Sequence, residues 1–260
     1  MAGETIKTEA ICLDIRPWSR TSHVVSWLTP NGKVTTVVKG AVRPKSQFLG
    51  QYDLNYACEI LYYARAKGEL HALRECVPVE RYDELREDYR KLSLAGYFRR
   101  LVADLAPQGE ECDVWIKALS AALGRLVGWS ANPMNNESFV GLLLEFELKV
   151  LELSGLAPDF SGYDKGAEWS PFSVEAGAFG SGEGRCIRVS REVAEYLACM
   201  AGSGRPRPPG CHGNLSVSRK NSQIPLDAAR VIGVFYQFHL DCASDVRRTI
   251  LGLIDKEGNG

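Results

Sequence analysis

None of the eight cysteines (Cys12, Cys58, Cys76, Cys112, Cys186, Cys199, Cys211 and Cys242) belongs to a Cys-x-x-Cys pair. A zinc knuckle or a disulfide framework needs that kind of tight local spacing, so the scatter reads as buried thiols in a reducing compartment. Histidine is scarce: His23, His71, His212 and His239 lie far apart, with no His-Glu-x-x-His helix. Cys211-His212 is the one Cys/His adjacency, two ligands short of a structural zinc site. No Gly-x-x-x-x-Gly-Lys-Ser/Thr loop is present to cradle phosphates, and no Gly-x-Ser-x-Gly elbow to expose a nucleophile. Gly180-Ser181-Gly182-Glu183-Gly184 lacks the spacing and the strand-to-helix context of a dinucleotide loop. No basic leader with an apolar core follows Met1, and no apolar run approaches about 18 residues. The expectation is a cytoplasmic, non-enzymatic protein with no cofactor, no metal and no membrane segment.

A second absence is more informative. From Ile15 to Tyr52 there is no Asp or Glu, while Arg16, Arg20, Lys33, Lys39, Arg43 and Lys45 supply positive charge. Trp18, Trp27, Phe48 and Tyr52 interleave with them. Basic and aromatic side chains on strand and loop are the composition of a surface that follows a phosphate backbone. The formal charge of −1 conceals this bias, since residues 1–79 hold ten Lys and Arg against seven Asp and Glu. A polyanion-facing N-terminal module joined to a mildly acidic body follows from that split.

Periodicity divides the chain in the same place. Glu4–Ile15, Ser22–Leu28, Val34–Val38, Tyr56–Tyr63 and Leu70–Val77 read as five short strands, with hairpin chemistry at Thr29-Pro30-Asn31-Gly32. Five strands with a long connection at 40–50 match an OB-type barrel, and an SH3-like barrel is the alternative. Beyond Pro78 the apolar spacing becomes helical over Asp83–Leu105, Val114–Val127 and Ser138–Leu153, with Asn132-Pro133 as a breaker. Glycines punctuate 154–184, which is expected to be an irregular insertion packed on Phe160, Trp169, Phe172 and Phe179. A short helix over Arg191–Met200, a Pro- and Gly-rich loop at 202–210 and two closing helices complete the pattern. The fold class is therefore α+β: an OB-fold domain over 1–79 and a helical domain over 80–260.

In Val37-Val38-Lys39-Gly40-Ala41-Val42-Arg43-Pro44-Lys45-Ser46 a strand delivers Lys39 to its end, and Pro44 stiffens the loop that carries Arg43 and Lys45. An ordered basic loop loses little entropy on meeting phosphate. This segment, the Leu28–Lys33 turn before it, the opening Thr8–Leu13 and the closing Phe238-His239-Leu240 with Ser244 together resemble the RecO family of bacterial recombination mediators. The resemblance implies an OB-fold that binds single- and double-stranded DNA, and a helical body. It also implies annealing of complementary strands, and loading of RecA onto strands coated by single-stranded DNA-binding protein. RecR and the C-terminal peptide of that coat protein would be partners, and the protein would be nucleoid-associated. By motif match, DNA contact falls on Lys39, Arg43 and Lys45; Arg20 and Lys33 join them through the acid-free window alone. Some relatives hold zinc with four cysteines after a Gly-x-x-Pro turn. Here Gly155-Leu156-Ala157-Pro158 resembles that frame, but only Cys186 stands nearby. A protein adaptor whose helical domain binds a partner peptide is the rival reading.

Overall fold

The computed structural model describes residues 4–65, 68, 70–109, 112–129, 135–180, 184–202, 223–240 and 244–255. Asn132-Pro133, the Pro-rich loop from residue 203 onward, Cys211-His212 and Cys242 lie outside them. The chain divides into two compact units, Met1–Ser130 and Ala131–Gly260.

The first unit is built on five strands: β1 (Glu4–Ser19), β2 (Ser22–Thr29), β3 (Gly32–Val38), β4 (Ala57–Ala64) and β5 (Leu70–Glu80). They close in the order β1-β2-β3-β5-β4. All neighbours are antiparallel except β3 and β5, which run parallel from Thr35↔Leu70 to Val37↔Ala72. Strand β1 is long because it serves two partners: Glu4–Ile11 pairs with β4, and Ile11–Ser19 with β2. This is the OB-type arrangement expected. Alternate side chains fill the interior, among them Ala10, Cys12, Val25, Trp27, Val38, Cys58, Ile60, Tyr62 and Cys76. The indole N–H of Trp27, fully buried, donates to Thr36 Oγ1 at 2.9 Å. A buried donor left without a partner would cost about 1–3 kcal/mol. Burial pushes the Cys12 thiol well up, and a hydrogen bond with Cys58 together with burial raises Cys76. These thiols stay protonated and act as small apolar fillers.

After the barrel comes a 3-10 helix (Asp83–Glu87), then α1 (Tyr89–Leu105) and α2 (Asp113–Val127). The periodicity predicts one helix over Asp83–Leu105, but Asp88 breaks it, with φ −131° and ψ 117°. Its carboxylate accepts from the backbone N–H groups of Arg90 and Lys91 at 2.7 and 3.4 Å. A short acidic side chain caps a helix better than it continues one. Both helices bury a stripe, Leu94, Phe98, Leu101 and Val102 in α1 and Trp115, Leu119, Leu123 and Leu126 in α2. Arg99 of α1 donates to the Leu13 carbonyl, and the Cys112 N–H to the Pro30 carbonyl at 3.0 Å. Gly32 belongs to the same contact. Its φ is +111°, and a Cβ there would lie 2.3 Å from the Gly109 carbonyl oxygen.

The second unit holds α3 (Asn136–Leu153), β6 (Trp169–Ser173), β7 (Ala178–Phe179), β8 (Cys186–Ser190), α4 (Arg191–Ala201), α5 (Gln223–His239) and α6 (Ser244–Asp255). The stretch expected to be irregular thus carries an antiparallel sheet, β7-β6-β8. Its strands are too short, and the glycines of the segments between them too frequent, to show an alternating pattern. Aromatic packing holds it: Phe160 stacks on Phe172 at 5.4 Å, Phe179 meets Phe172 edge-on at 5.3 Å, and Phe235 of α5 closes the cluster. Trp169, assigned to that core from the sequence, is instead 44% exposed. His239 Nε2 donates to the Val174 carbonyl at 2.8 Å and so ties α5 to the sheet, which accounts for the closing Phe238-His239-Leu240 motif.

A buried ion pair orders the helices. Arg247 of α6 grips Glu147 of α3 bidentately at 2.6 and 2.9 Å and donates to the Ala229 carbonyl at 2.7 Å, through space that Gly233 leaves open. Removing one member of such a pair strands a charge, whereas replacing both with apolar groups does not. Arg247→Met is expected to cost about 3–5 kcal/mol in urea unfolding, and the double change Glu147→Leu with Arg247→Met clearly less. Equal losses would show that the pair contributes packing alone.

Candidate nucleic-acid interface

One end of the barrel is formed by the β1–β2 turn, Arg20-Thr21, and the connection that follows β3. The Val42 N–H donates to the Thr21 carbonyl at 3.3 Å, and the Gly40 N–H to Ser22 Oγ at 3.2 Å, joining turn and loop. The connection is a chain of tight turns, Gly40–Arg43, Arg43–Ser46, Ser46–Leu49 and Phe48–Gln51, closed by backbone bonds of 2.9–3.3 Å. Two apolar feet hold it: Ala41 and Phe48, 3% and 8% exposed, sink into the barrel core. At its far end the Gln51 carbonyl accepts from the Cys58 and Cys76 thiols, and Gln47 Nε2 donates to the Arg74 carbonyl at 2.8 Å. Gly40 takes φ +66°, and the Arg43 side chain lies where a Cβ would project, with its Cδ 3.2 Å from that position.

On this braced loop Lys39, Arg43 and Lys45 are exposed, and Arg20 is exposed on the adjoining turn. None of the four forms an ion pair among the described residues. The structure therefore brings together four of the five residues expected to touch DNA. Lys33 stands apart. It begins β3, six residues and about 20 Å from Lys39 at the usual strand rise, and its ammonium donates to the Ala103 carbonyl of α1 at 3.0 Å. Its charge serves the seam between barrel and helix. Arg16 is engaged as well, 2.5 Å from Asp14.

The aromatic residues of the window divide likewise. Trp27 and Phe48 are core residues, and Tyr52 is half-buried, its hydroxyl hydrogen-bonded to His23 Nδ1 at 2.8 Å and pushed up in pKa by burial. Trp18 alone is exposed. Arg74 is a cation that the sequence window misses. It sits where the β4–β5 register shifts, 4.1 Å above the Tyr63 ring, joined to the loop through Gln47. Only closure of β3 against β5 places it there, and no local pattern could have signalled it.

A chain of cations on a rigid loop, without acids to neutralise them, can bind phosphates without reading bases. Among the described residues no group of three or more His, Cys, Asp or Glu could hold a metal ion, and no helix is long and apolar enough to cross a membrane.

Comparison with known proteins points the same way. The family model "Recombination protein O N terminal" matches residues 1–82, and "Recombination protein O C terminal" matches residues 86–244. The DNA repair protein RecO of Alkaliphilus metalliredigens is 30% identical over 66% of this chain. Those of Roseiflexus sp. and Symbiobacterium thermophilum are each 28% identical, over 61% and 59% of it. The matches span 69%, 53% and 58% of these relatives' own lengths.

Lys33→Ala should lower stability by about 1 kcal/mol through loss of its bond to α1. Lys39→Ala, Arg43→Ala and Lys45→Ala should each stay within about 0.5 kcal/mol of the parent. Denaturant titration distinguishes the two roles, and equal effects at all four sites would refute the division.

Proposed function

The chain belongs to the RecO family, and on that premise we propose that it is a DNA-binding recombination mediator acting in recombinational DNA repair. The observation that carries this reading is the set of four cations, Arg20, Lys39, Arg43 and Lys45, exposed on one end of the barrel and without an ion-pair partner among the described residues. They bind the backbones of single- and double-stranded DNA. Two complementary strands repel through their phosphates, and a protein that neutralises both lowers that repulsion and raises the rate of pairing. No covalent step is involved, so the protein works as a mediator and not as an enzyme. Annealing of complementary strands and assistance in loading RecA onto strands covered by single-stranded DNA-binding protein follow from this role. RecR and the coat protein are its proposed partners, and the nucleoid is its place of action.

A specific feature of the second unit favours the adaptor role beside the first. A groove of about 340 Å³ is lined by Trp169, Ile187, Val189, Val193 and Val231, with Arg188 and the Asp227–Arg230 pair at its wall. Arg188 lies 5.6 Å from the Trp169 ring centre and pairs with no carboxylate among the described residues, whereas Arg230 pairs with Asp227 at 2.6 Å. An apolar channel beside a guanidinium suits a short acidic peptide ending in an apolar residue. The C-terminal peptide of the coat protein is the proposed occupant.

With four phosphates neutralised, log K for single strands should fall against log[salt] with a slope near −3, from about 0.7 per contact. The triple variant Lys39→Ala, Arg43→Ala, Lys45→Ala should flatten the slope by roughly 2 and slow annealing at both low and moderate salt. Fluorescence anisotropy and strand-annealing assays, run with and without coat protein, test both points. A triple variant with the parental slope and annealing rate would remove this loop from the interface.

A further inference from the structure

The loop cations explain attraction to any phosphate backbone and give no reason to prefer an unpaired strand. Trp18 supplies one. At 62% exposure it is far more open than Trp27 and Trp115, which are 0% and 3% exposed. Its position follows from the register of the first hairpin: Pro17 pairs with His23 and Ser19 with Ser22, so Trp18 is the extra residue of a bulge and has no partner on β2. Bulges re-aim a side chain out of the ladder. Here the indole is turned to solvent one residue from Ser19 and two from Arg20, on the turn that Val42 clasps. Exposing so much of a large apolar ring to water costs free energy.

Resting on the DNA-binding reading above, we infer that Trp18 is a stacking platform for an unpaired nucleobase of a single strand whose phosphates lie on Arg20, Lys39, Arg43 and Lys45. Base–aromatic stacking tolerates any sequence, because every base has a flat face, and it is denied to a duplex, whose bases are already stacked. The residue therefore sets preference for single strands, while the cations set affinity for both forms.

The test uses the full chain and three labelled probes in anisotropy: a thymidine oligomer, an abasic sugar-phosphate oligomer of the same length, and a duplex. Trp18→Ala should weaken the thymidine oligomer about tenfold and leave the other two within about twofold. Trp18→Phe, which keeps a flat ring, should retain most of the affinity for thymidine. Loss of equal size on the abasic oligomer would assign Trp18 a structural role and overturn the inference, as would no loss on any probe. In both cases the parent protein still binds all three, and the DNA-binding reading survives. A parent that binds none of them overturns both.

Discussion

Phe48 and Ala41, driven into the barrel interior, are what turn a basic loop into a surface. Without those feet the connection after β3 would be a free segment, and each cation would lose backbone as well as side-chain freedom on meeting a phosphate, at about 1–2 kcal/mol per residue for the backbone alone. With them, that ordering is completed during folding. The clasp between Val42 and Thr21 then extends the ordered surface to Arg20, which lies far from the loop in sequence. The proposed affinity for a polyanion thus depends on apolar packing beneath the loop.

The second unit solves a different problem by a different interaction. Its helices pack through apolar faces and its inserted sheet is small, and a few specific bonds add orientation: Arg247 on Glu147, Tyr236 on the Glu147 carbonyl, and His239 on Val174. Buried charge of this kind contributes little net stability compared with well-packed apolar residues, but it strongly penalises wrong arrangements. The groove beside Trp169 is bounded by elements fixed in this manner.

How much of this could be read from the sequence follows from the range of each interaction. Strand alternation and hairpin chemistry are local, so the five strands, the OB-type barrel and the basic loop were all legible. Asp88 as a helix break was hidden because an acidic residue that follows Arg86-Glu87 looks like ordinary helix surface. The β7-β6-β8 sheet was hidden because its partners are brought together by Phe160, Phe172 and Phe235, which are distant in sequence. Within the site, composition could not separate Lys39 from Lys33. They lie at opposite ends of one strand in the same acid-free window, and only docking of α1 on the far end of the barrel assigns one to solvent and the other to the Ala103 carbonyl. Arg74 was invisible for the converse reason, since its link to the loop is created by barrel closure.

The double service of β1 bears on how the chain is made. The β1–β2–β3 meander can form once Val38 has left the ribosome, but the Glu4–Ile11 edge finds its partner only when Ala64 has followed. Until then an open row of backbone donors and acceptors is available for pairing with a neighbouring nascent chain. Closure over so long a span is slow compared with hairpin formation.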